Sequence, residues 1–111
     1  MKLWIDDLRT APLGYVRIKS VDEAKECILF AEEQYAKRRE VIYDCSNFKI
    51  DLIDLDHDAG EYARFGGDYI RILDWLEETG RNYPIRIHSM NPVGVQNMRA
   101  IIRRNGWTEV L

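Results

Sequence analysis

The sequence has 111 residues, 46% of them hydrophobic and 11% aromatic, which is enough apolar material for one domain with its own core. Its 16 basic and 19 acidic residues give a net charge of -3, and this balance argues against binding to bulk nucleic acid or to anionic membranes. No stretch approaches the ~20 apolar residues of a membrane span, and the start MKLWIDD reaches paired acids too early for a secretory signal. We therefore expect a single cytoplasmic domain over residues 1–111, with a small phosphorylated molecule as a compatible partner.

The first part of the chain predicts two strands and a helix. Residues 2–6 form an apolar run that stops at a pair of acids, as a buried strand does at its carboxyl end. Residues 15–19 alternate apolar and polar side chains, which is typical of an edge strand. Residues 20–23 have the spacing of a capping box, ahead of a helix that extends to the basic cluster at residues 37–39.

The second part continues the alternation after an insertion. Residues 38–49 form this insertion, which contains a candidate short strand at residues 41–43. Residues 50–56 predict a central strand that ends in acids. The remaining predicted elements are a helix from residue 69 to Gly80 with Asp68 as its cap, a strand at 85–87, a helix from Pro92 to residue 105 and a last strand at 107–111.

Alternating strands and helices predict a three-layer α/β fold, with a mostly parallel sheet of about five strands and helices on both faces. In such sheets ligands bind beyond the carboxyl ends of the strands. Three predicted strands end in polar groups, at residues 6–7, 56–58 and 88–91. The site is therefore expected where these three strand ends meet.

The acids at two of these strand ends are candidate ligands of a metal ion. Asp6, Asp7 and Asp56 could together hold Mg²⁺, because this hard cation prefers oxygen ligands and keeps waters that a phosphate can replace. An alternative is equally supported by the sequence: Asp7 caps the following loop, and Arg9 neutralises the acidic pair.

The chain has two histidines, and both follow predicted strands. His57 stands between Asp56 and Asp58, and His88 precedes Ser89. A neutral imidazole can accept a proton from water, and an imidazolium can donate one to a leaving oxygen. The pair predicts general acid–base catalysis with Asp56 as a third catalytic group. The alternative is that each histidine only caps its strand end.

Four further residues are candidates for substrate binding. Arg9 offers a planar guanidinium that can pair with phosphate, although an ion pair with Asp6 or Asp7 is an alternative for it. Ser89 and Asn91 precede a predicted helix start, where free backbone N–H groups can bind an anion; a plain helix cap competes with this interpretation. Asp58 completes the set of predicted substrate-binding residues.

Three sequence runs resemble the cyclic-phosphate processing receiver-like domains, a family of variants of the response-regulator receiver. They are residues 5–9 (IDDLR), 55–58 (LDHD) and 88–94 (HSMNPVG). The likeness extends over almost the whole chain. It implies a receiver-like, flavodoxin-like fold and an activity on cyclic phosphates.

The resemblance also implies roles for individual residues. Asp6 and Asp7 match the acidic pair of receivers, and Asp56 matches the phospho-acceptor position. Ser89 matches the hydroxyl position after the fourth strand, and the two histidines match those that this family adds to the receiver pocket.

These observations favour a phosphoesterase that opens a cyclic phosphate of nucleotide or ADP-ribose type, with the two histidines as acid and base. A phospho-accepting receiver is an alternative, but it needs a lysine after its fifth strand, and no lysine follows residue 88. A non-catalytic module that binds a ligand through the same pocket is the third reading. The sequence favours a cyclic phosphodiesterase-type hydrolase over both.

Overall fold

The computed structural model describes residues 1–39 and 46–111. The sheet is parallel and has the strand order β2-β1-β3-β4. Its strands are β1 (Lys2–Ile5), β2 (Tyr15–Ile18), β3 (Leu52–Leu55) and β4 (Ile85–Ile87). The helices are α1 (Val21–Ala36), α2 (Ile70–Glu78) and α3 (Pro92–Asn105), with short 3-10 turns at Lys37–Arg39, Ser46–Phe48 and Gly60–Arg64. The predicted α/β fold with a parallel sheet is confirmed.

The hydrophobic core lies on one face of the sheet. Leu3, Ile53 and Ile85 stand in register on neighbouring strands, and each is fully buried. They join one cluster with apolar residues of all three helices. The helical members include Ala24, Ile28, Ile72, Leu73, Leu76, Met98 and Ile101. Burial of this apolar surface supplies most of the driving force for folding, at roughly 25 cal/mol per Å².

The prediction of helices on both faces is not confirmed within the described residues, because apolar residues of α1, α2 and α3 join a single core cluster. The crossovers β2–α1–β3 and β3–α2–β4 both run in the same direction across the sheet. Right-handed crossovers that run in the same direction place their helices on the same face of the sheet. Only the β1–β2 connection moves the other way. It is a loop over residues 6–14 without a helix, so it adds no layer to the opposite face.

A fifth strand also fails to form within the described residues. The helix α3 ends at Gly106, which is left-handed, and the N–H of Trp107 bonds back to the carbonyl of Ile102. This cap turns the chain just before the predicted last strand. Only an isolated bridge between Glu109 and Ile85 remains.

The helix starts show both a correct and an incorrect prediction. Ser20 caps α1 by accepting from the N–H of Glu23 at 3.1 Å, as the sequence predicted. Asp68, expected to cap α2, instead accepts from the N–H of Ala59 at 2.9 Å. The candidate strand at residues 41–43 lies outside the described residues. No helix in the described ranges is long and apolar enough to cross a bilayer.

Candidate functional site

The carboxyl ends of β1 and β3 bring three aspartates together. Ile5 pairs with Leu55, and the N–H of Asp56 donates to the carbonyl of Ile5 at 2.9 Å. Ligand oxygens of Asp6, Asp7 and Asp56 consequently lie within 4.8 Å of one another. The three aspartates therefore lie together, as the sequence predicted. We call Asp6, Asp7 and Asp56 the acidic cluster.

Asp6 is fully buried, and both of its oxygens have partners. Its Oδ1 accepts from the N–H groups of Leu8 at 2.8 Å and Arg9 at 2.9 Å, while Oδ2 lies 2.9 Å from Nε2 of His88. Burial pushes the pKa of Asp6 upward, but these hydrogen bonds and His88 outweigh it, so the pKa lies below its ordinary value. Asp6 is thus an ionised and firmly held carboxylate.

Asp7 has the opposite electrostatic character. Burial raises the pKa of Asp7, and the negative charges of Asp6, Asp56 and Asp58 raise it further. The close approach of Gly60 confines its carboxylate, since a Cβ atom on Gly60 would stand 2.4 Å from Oδ2 of Asp7. Among the three aspartates of the acidic cluster, Asp7 is therefore the one whose negative charge is least compensated.

The acidic cluster has the donor chemistry that a hard divalent cation needs. Asp7 and Asp56 offer carboxylate oxygens to such an ion, and Asp6 retains one free lone pair on Oδ2 beyond its bond to His88. The repulsion that raises the pKa of Asp7 is relieved by a bound cation. These residues accordingly fit Mg²⁺, which uses few protein carboxylates and keeps several waters.

His88 is fixed on several sides. Its Nδ1 lies 2.6 Å from Oδ1 of Asp54, and its Nε2 lies 2.9 Å from Oδ2 of Asp6. The ring stacks on Trp4 with 3.8 Å between centroids and 5° between planes. Because ionised carboxylates only accept hydrogen bonds, both bonds are satisfied when each ring nitrogen carries a proton. Two carboxylates and an indole ring therefore hold His88 in one orientation.

His57 has a different environment. Its Nδ1 lies 2.8 Å from Oδ1 of Asp58, and the ring lies against the backbone of Gly94 at the start of α3. Within the described residues no hydrogen bond reaches its Nε2. A carboxylate on one ring nitrogen and a free second nitrogen is the arrangement of an oriented general acid or base.

The two histidines lie at the same edge of the sheet but on its two sides. His88 continues the face of Trp4 and Asp54, whereas His57 faces α3. Asp6 of the acidic cluster contacts His88, and Asp56 directly precedes His57 in the chain. The two imidazoles therefore face opposite sides of the sheet edge, and the predicted acid–base pair is not formed.

The predicted substrate-binding residues mostly hold the loops in place. Arg9 donates from Nη1 to the carbonyl of His88 at 2.8 Å. It forms no ion pair with Asp6 or Asp7, and the carboxylate of Asp6 instead accepts from His88 and from two backbone N–H groups. Oγ of Ser89 accepts from the N–H of Asn91 at 3.2 Å. Asn91 caps α3 by accepting from the N–H of Gly94 at 3.0 Å.

The side-chain amide of Asn91 also reaches the second side of the site. Its Nδ2 lies 3.4 Å from both carboxylate oxygens of Asp58 and 3.5 Å from Nδ1 of His57. Asp58 belongs with His57 and Asp68 to a second group of close ligand atoms. Asn91 and Asp58 therefore orient His57, and their binding of a substrate stays a prediction.

Sequence reasoning missed Trp4, Asp54, Arg86 and Gly94 as parts of the site. Trp4, Asp54 and Arg86 stand in register on three strands of the helix-free face. Asp51 and Asp54 did signal that one face or one edge of this strand is polar, but only the strand order reveals what lies beside Asp54.

Comparisons with known proteins agree with this geometry. A family model described as the cyclic-phosphate processing receiver domain matches residues 1–104. No curated protein and no solved structure gives a significant match. The match covers nearly the whole chain, including every residue discussed at the strand ends. The chain therefore belongs to the cyclic-phosphate processing receiver domain family.

Proposed function

We propose that the protein is a phosphoesterase that hydrolyses a cyclic phosphodiester and that His57 transfers the proton. The observation that carries this proposal is the orientation of His57: Asp58 holds Nδ1 at 2.8 Å, and no hydrogen bond within the described residues reaches Nε2. A receiver that only accepts a phosphoryl group has no need of such an oriented imidazole.

In the proposed reaction water adds to phosphorus, and one ester P–O bond of the ring breaks. The products are a phosphomonoester and a free hydroxyl group, so the water proton must leave and the departing alkoxide must gain one. His57 can perform either transfer through Nε2, with Asp58 stabilising the imidazolium that forms. Such general acid–base help typically contributes ~10²- to 10⁴-fold in rate.

Asp6, Asp7 and Asp56 would hold Mg²⁺ beside the phosphate. A bound Mg²⁺ offsets the negative charge that develops on the phosphoryl oxygens. Asp56 thus serves the site as a ligand and as the residue that carries His57 at the end of β3.

His88 receives a different role from the one predicted by sequence. Both of its ring nitrogens are engaged by carboxylates, so it has no free position for proton transfer in this arrangement. Burial raises the pKa of Asp6, and the hydrogen bond from His88 joins two backbone N–H donors in lowering it. His88 thereby holds the carboxylate of Asp6 in place at the site. Arg9, tied to the carbonyl of His88, has further N–H groups for the phosphate.

The test is turnover of a panel of cyclic phosphates, including 2′,3′-cyclic nucleotides and an ADP-ribose cyclic phosphate, with and without Mg²⁺. His57→Ala should abolish turnover at every Mg²⁺ concentration, whereas His88→Ala should weaken the dependence on Mg²⁺ as well as the rate. Gln96→Ala, on the exposed side of α3, is the control. Absence of turnover by the wild type, or turnover indifferent to His57→Ala, would favour a binding or signalling module.

A further inference from the structure

We propose that Asp54 is a positioning residue that holds His88 against the acidic cluster. The proposal rests on the function proposed above, but it concerns a residue that touches neither the acidic cluster nor a substrate. Asp54 lies inside β3, two positions before Asp56, and is fully buried. An ionised carboxylate at such a place is costly unless every oxygen is paired.

The two oxygens of Asp54 have separate partners. Oδ1 accepts from Nδ1 of His88 at 2.6 Å, and Oδ2 accepts from Nη1 of Arg86 at 3.0 Å. Arg86 stands in register with Asp54 on the neighbouring strand, and its side chain is 43% exposed. The carboxylate therefore sits between a partly exposed cation and the imidazole, and the strand register fixes all three.

Trp4 sets the plane in which Asp54 holds the imidazole. It stands in register with Asp54 on the other neighbouring strand, and its ring lies parallel to that of His88. Trp4 is itself fixed, because its Nε1 donates to the carbonyl of Arg9 at 3.1 Å. Stacking restricts the imidazole to one plane but allows either of its two flipped orientations, and the hydrogen bond that Nδ1 donates to Asp54 selects one of them.

The consequence reaches the acidic cluster through His88. With Nδ1 anchored on Asp54, Nε2 is aimed at Oδ2 of Asp6. Loss of the anchor lets the ring turn, and Asp6 then loses its only side-chain donor among the described residues. Carboxylate partners of metal-bound histidines typically matter by ~10–100-fold in activity or affinity when removed, and we expect an effect of that size here.

The experiment compares Asp54→Asn and Arg86→Met with Arg81→Met. Arg81 also pairs with a carboxylate, that of Glu32, but stands away from the strand ends that form the site. The readouts are the separate values of kcat and KM and the nitrogen-15 NMR correlations of the His88 ring without Mg²⁺. Asp54→Asn should lower kcat by ~10–100-fold with a smaller change in KM, and should shift the His88 ring signals.

Arg81→Met should lower thermal stability and leave kcat and the His88 signals unchanged. Arg86→Met keeps the hydrogen bond between Asp54 and His88, so this variant should fold and should shift the His88 ring signals less than Asp54→Asn does. If Asp54→Asn does not fold, Arg86→Met takes its place in the comparison. Unchanged ring signals and wild-type kcat in Asp54→Asn would overturn the proposal. If the wild type hydrolyses no cyclic phosphate, the proposed function fails, whereas the ring signals still decide whether Asp54 positions His88.

Discussion

The backbone of Gly94 lies directly against the ring of His57. A Cβ atom on Gly94 would stand 2.5 Å from Cγ and 2.6 Å from Cδ2 of the imidazole. Contacts this short do not occur in folded proteins, so any side chain at position 94 displaces the ring. The first turn of α3 thereby fixes the place of the histidine at the end of β3.

Gly94→Ala should therefore damage activity without damaging the fold. Alanine favours a helix over glycine by ~1 kcal/mol, so the helix itself gains stability. The displaced ring loses its alignment with Asp58, and we expect kcat to fall at least ~10-fold, since small misplacements of catalytic groups are costly. Steady-state kinetics and thermal unfolding of Gly94→Ala and of Gln96→Ala measure both effects. Wild-type kcat in Gly94→Ala would argue against His57 as the reacting group.

Asp7→Asn should stabilise the protein at neutral pH. Burial and the charges of Asp6, Asp56 and Asp58 raise the pKa of Asp7, so its ionised form costs stability in the folded state. A raised folded pKa means that this cost is absent below the ordinary value of 3.8 and appears as the pH rises through the folded pKa. Thermal unfolding in EDTA should show a higher Tm for Asp7→Asn at pH 7 and no difference near pH 3.

The same variant should lose its response to Mg²⁺. A cation that binds only the folded wild type stabilises it by about 2.7 kcal/mol at a hundredfold excess over Kd. Equal Tm shifts of wild type and Asp7→Asn on addition of Mg²⁺ would exclude Asp7 as a ligand.

Asp6→Asn should have the opposite effect on stability. Burial raises the pKa of Asp6, but the N–H groups of Arg9 and Leu8 and the imidazole of His88 together lower it below 3.8. The stability that Asp6 contributes is thus present above pH 3.8 and is lost as the pH falls through its folded pKa. We expect a loss of about 2 kcal/mol at pH 7, typical of hydrogen bonds to a charged group. A higher Tm for Asp6→Asn than for wild type at pH 7 would contradict this assignment.

Glu32→Gln should reduce stability and leave catalysis intact. Oε1 of Glu32 lies 3.0 Å from Nε and 2.8 Å from Nη2 of Arg81, and its carboxylate also accepts from the hydroxyl of Tyr83. Burial raises the pKa of Glu32, but Arg81 and Tyr83 outweigh it and lower the pKa. Urea unfolding at pH 7 should show a loss of about 2 kcal/mol. A fall in kcat would contradict this prediction, because it would mean that Glu32 affects the catalytic site although no contact within the described residues connects the two.

The members of the site that stand at strand ends could be predicted from the sequence. In the sequence, a polar residue directly after an apolar run marks the end of a buried strand. Parallel strands bring their carboxyl ends to the same edge of the sheet. Asp6, Asp7, Asp56, His57 and His88 were found by this rule. The rule says nothing about which side of the edge each imidazole takes.

The interior members could not be predicted in the same way. Asp54 looks like an isolated polar residue in a buried strand until Trp4 and Arg86 are known to stand beside it. Gly94 looks like an ordinary helix glycine until His57 is found against it. Both depend on strand order and on helix placement, which are properties of the folded chain. Within residues 1–39 and 46–111, the sharing of one face by the helices also follows from topology, because only the β1–β2 crossover moves toward the opposite face.

The most direct test of the account follows oxygen-18 from labelled water into the product of a 2′,3′-cyclic nucleotide, using phosphorus-31 NMR, for wild type and His57→Ala. The account predicts a phosphomonoester that carries one labelled oxygen on phosphorus, formed ~10²- to 10⁴-fold more slowly by His57→Ala. No labelled phosphomonoester from the wild type, or equal rates from both proteins, would contradict it.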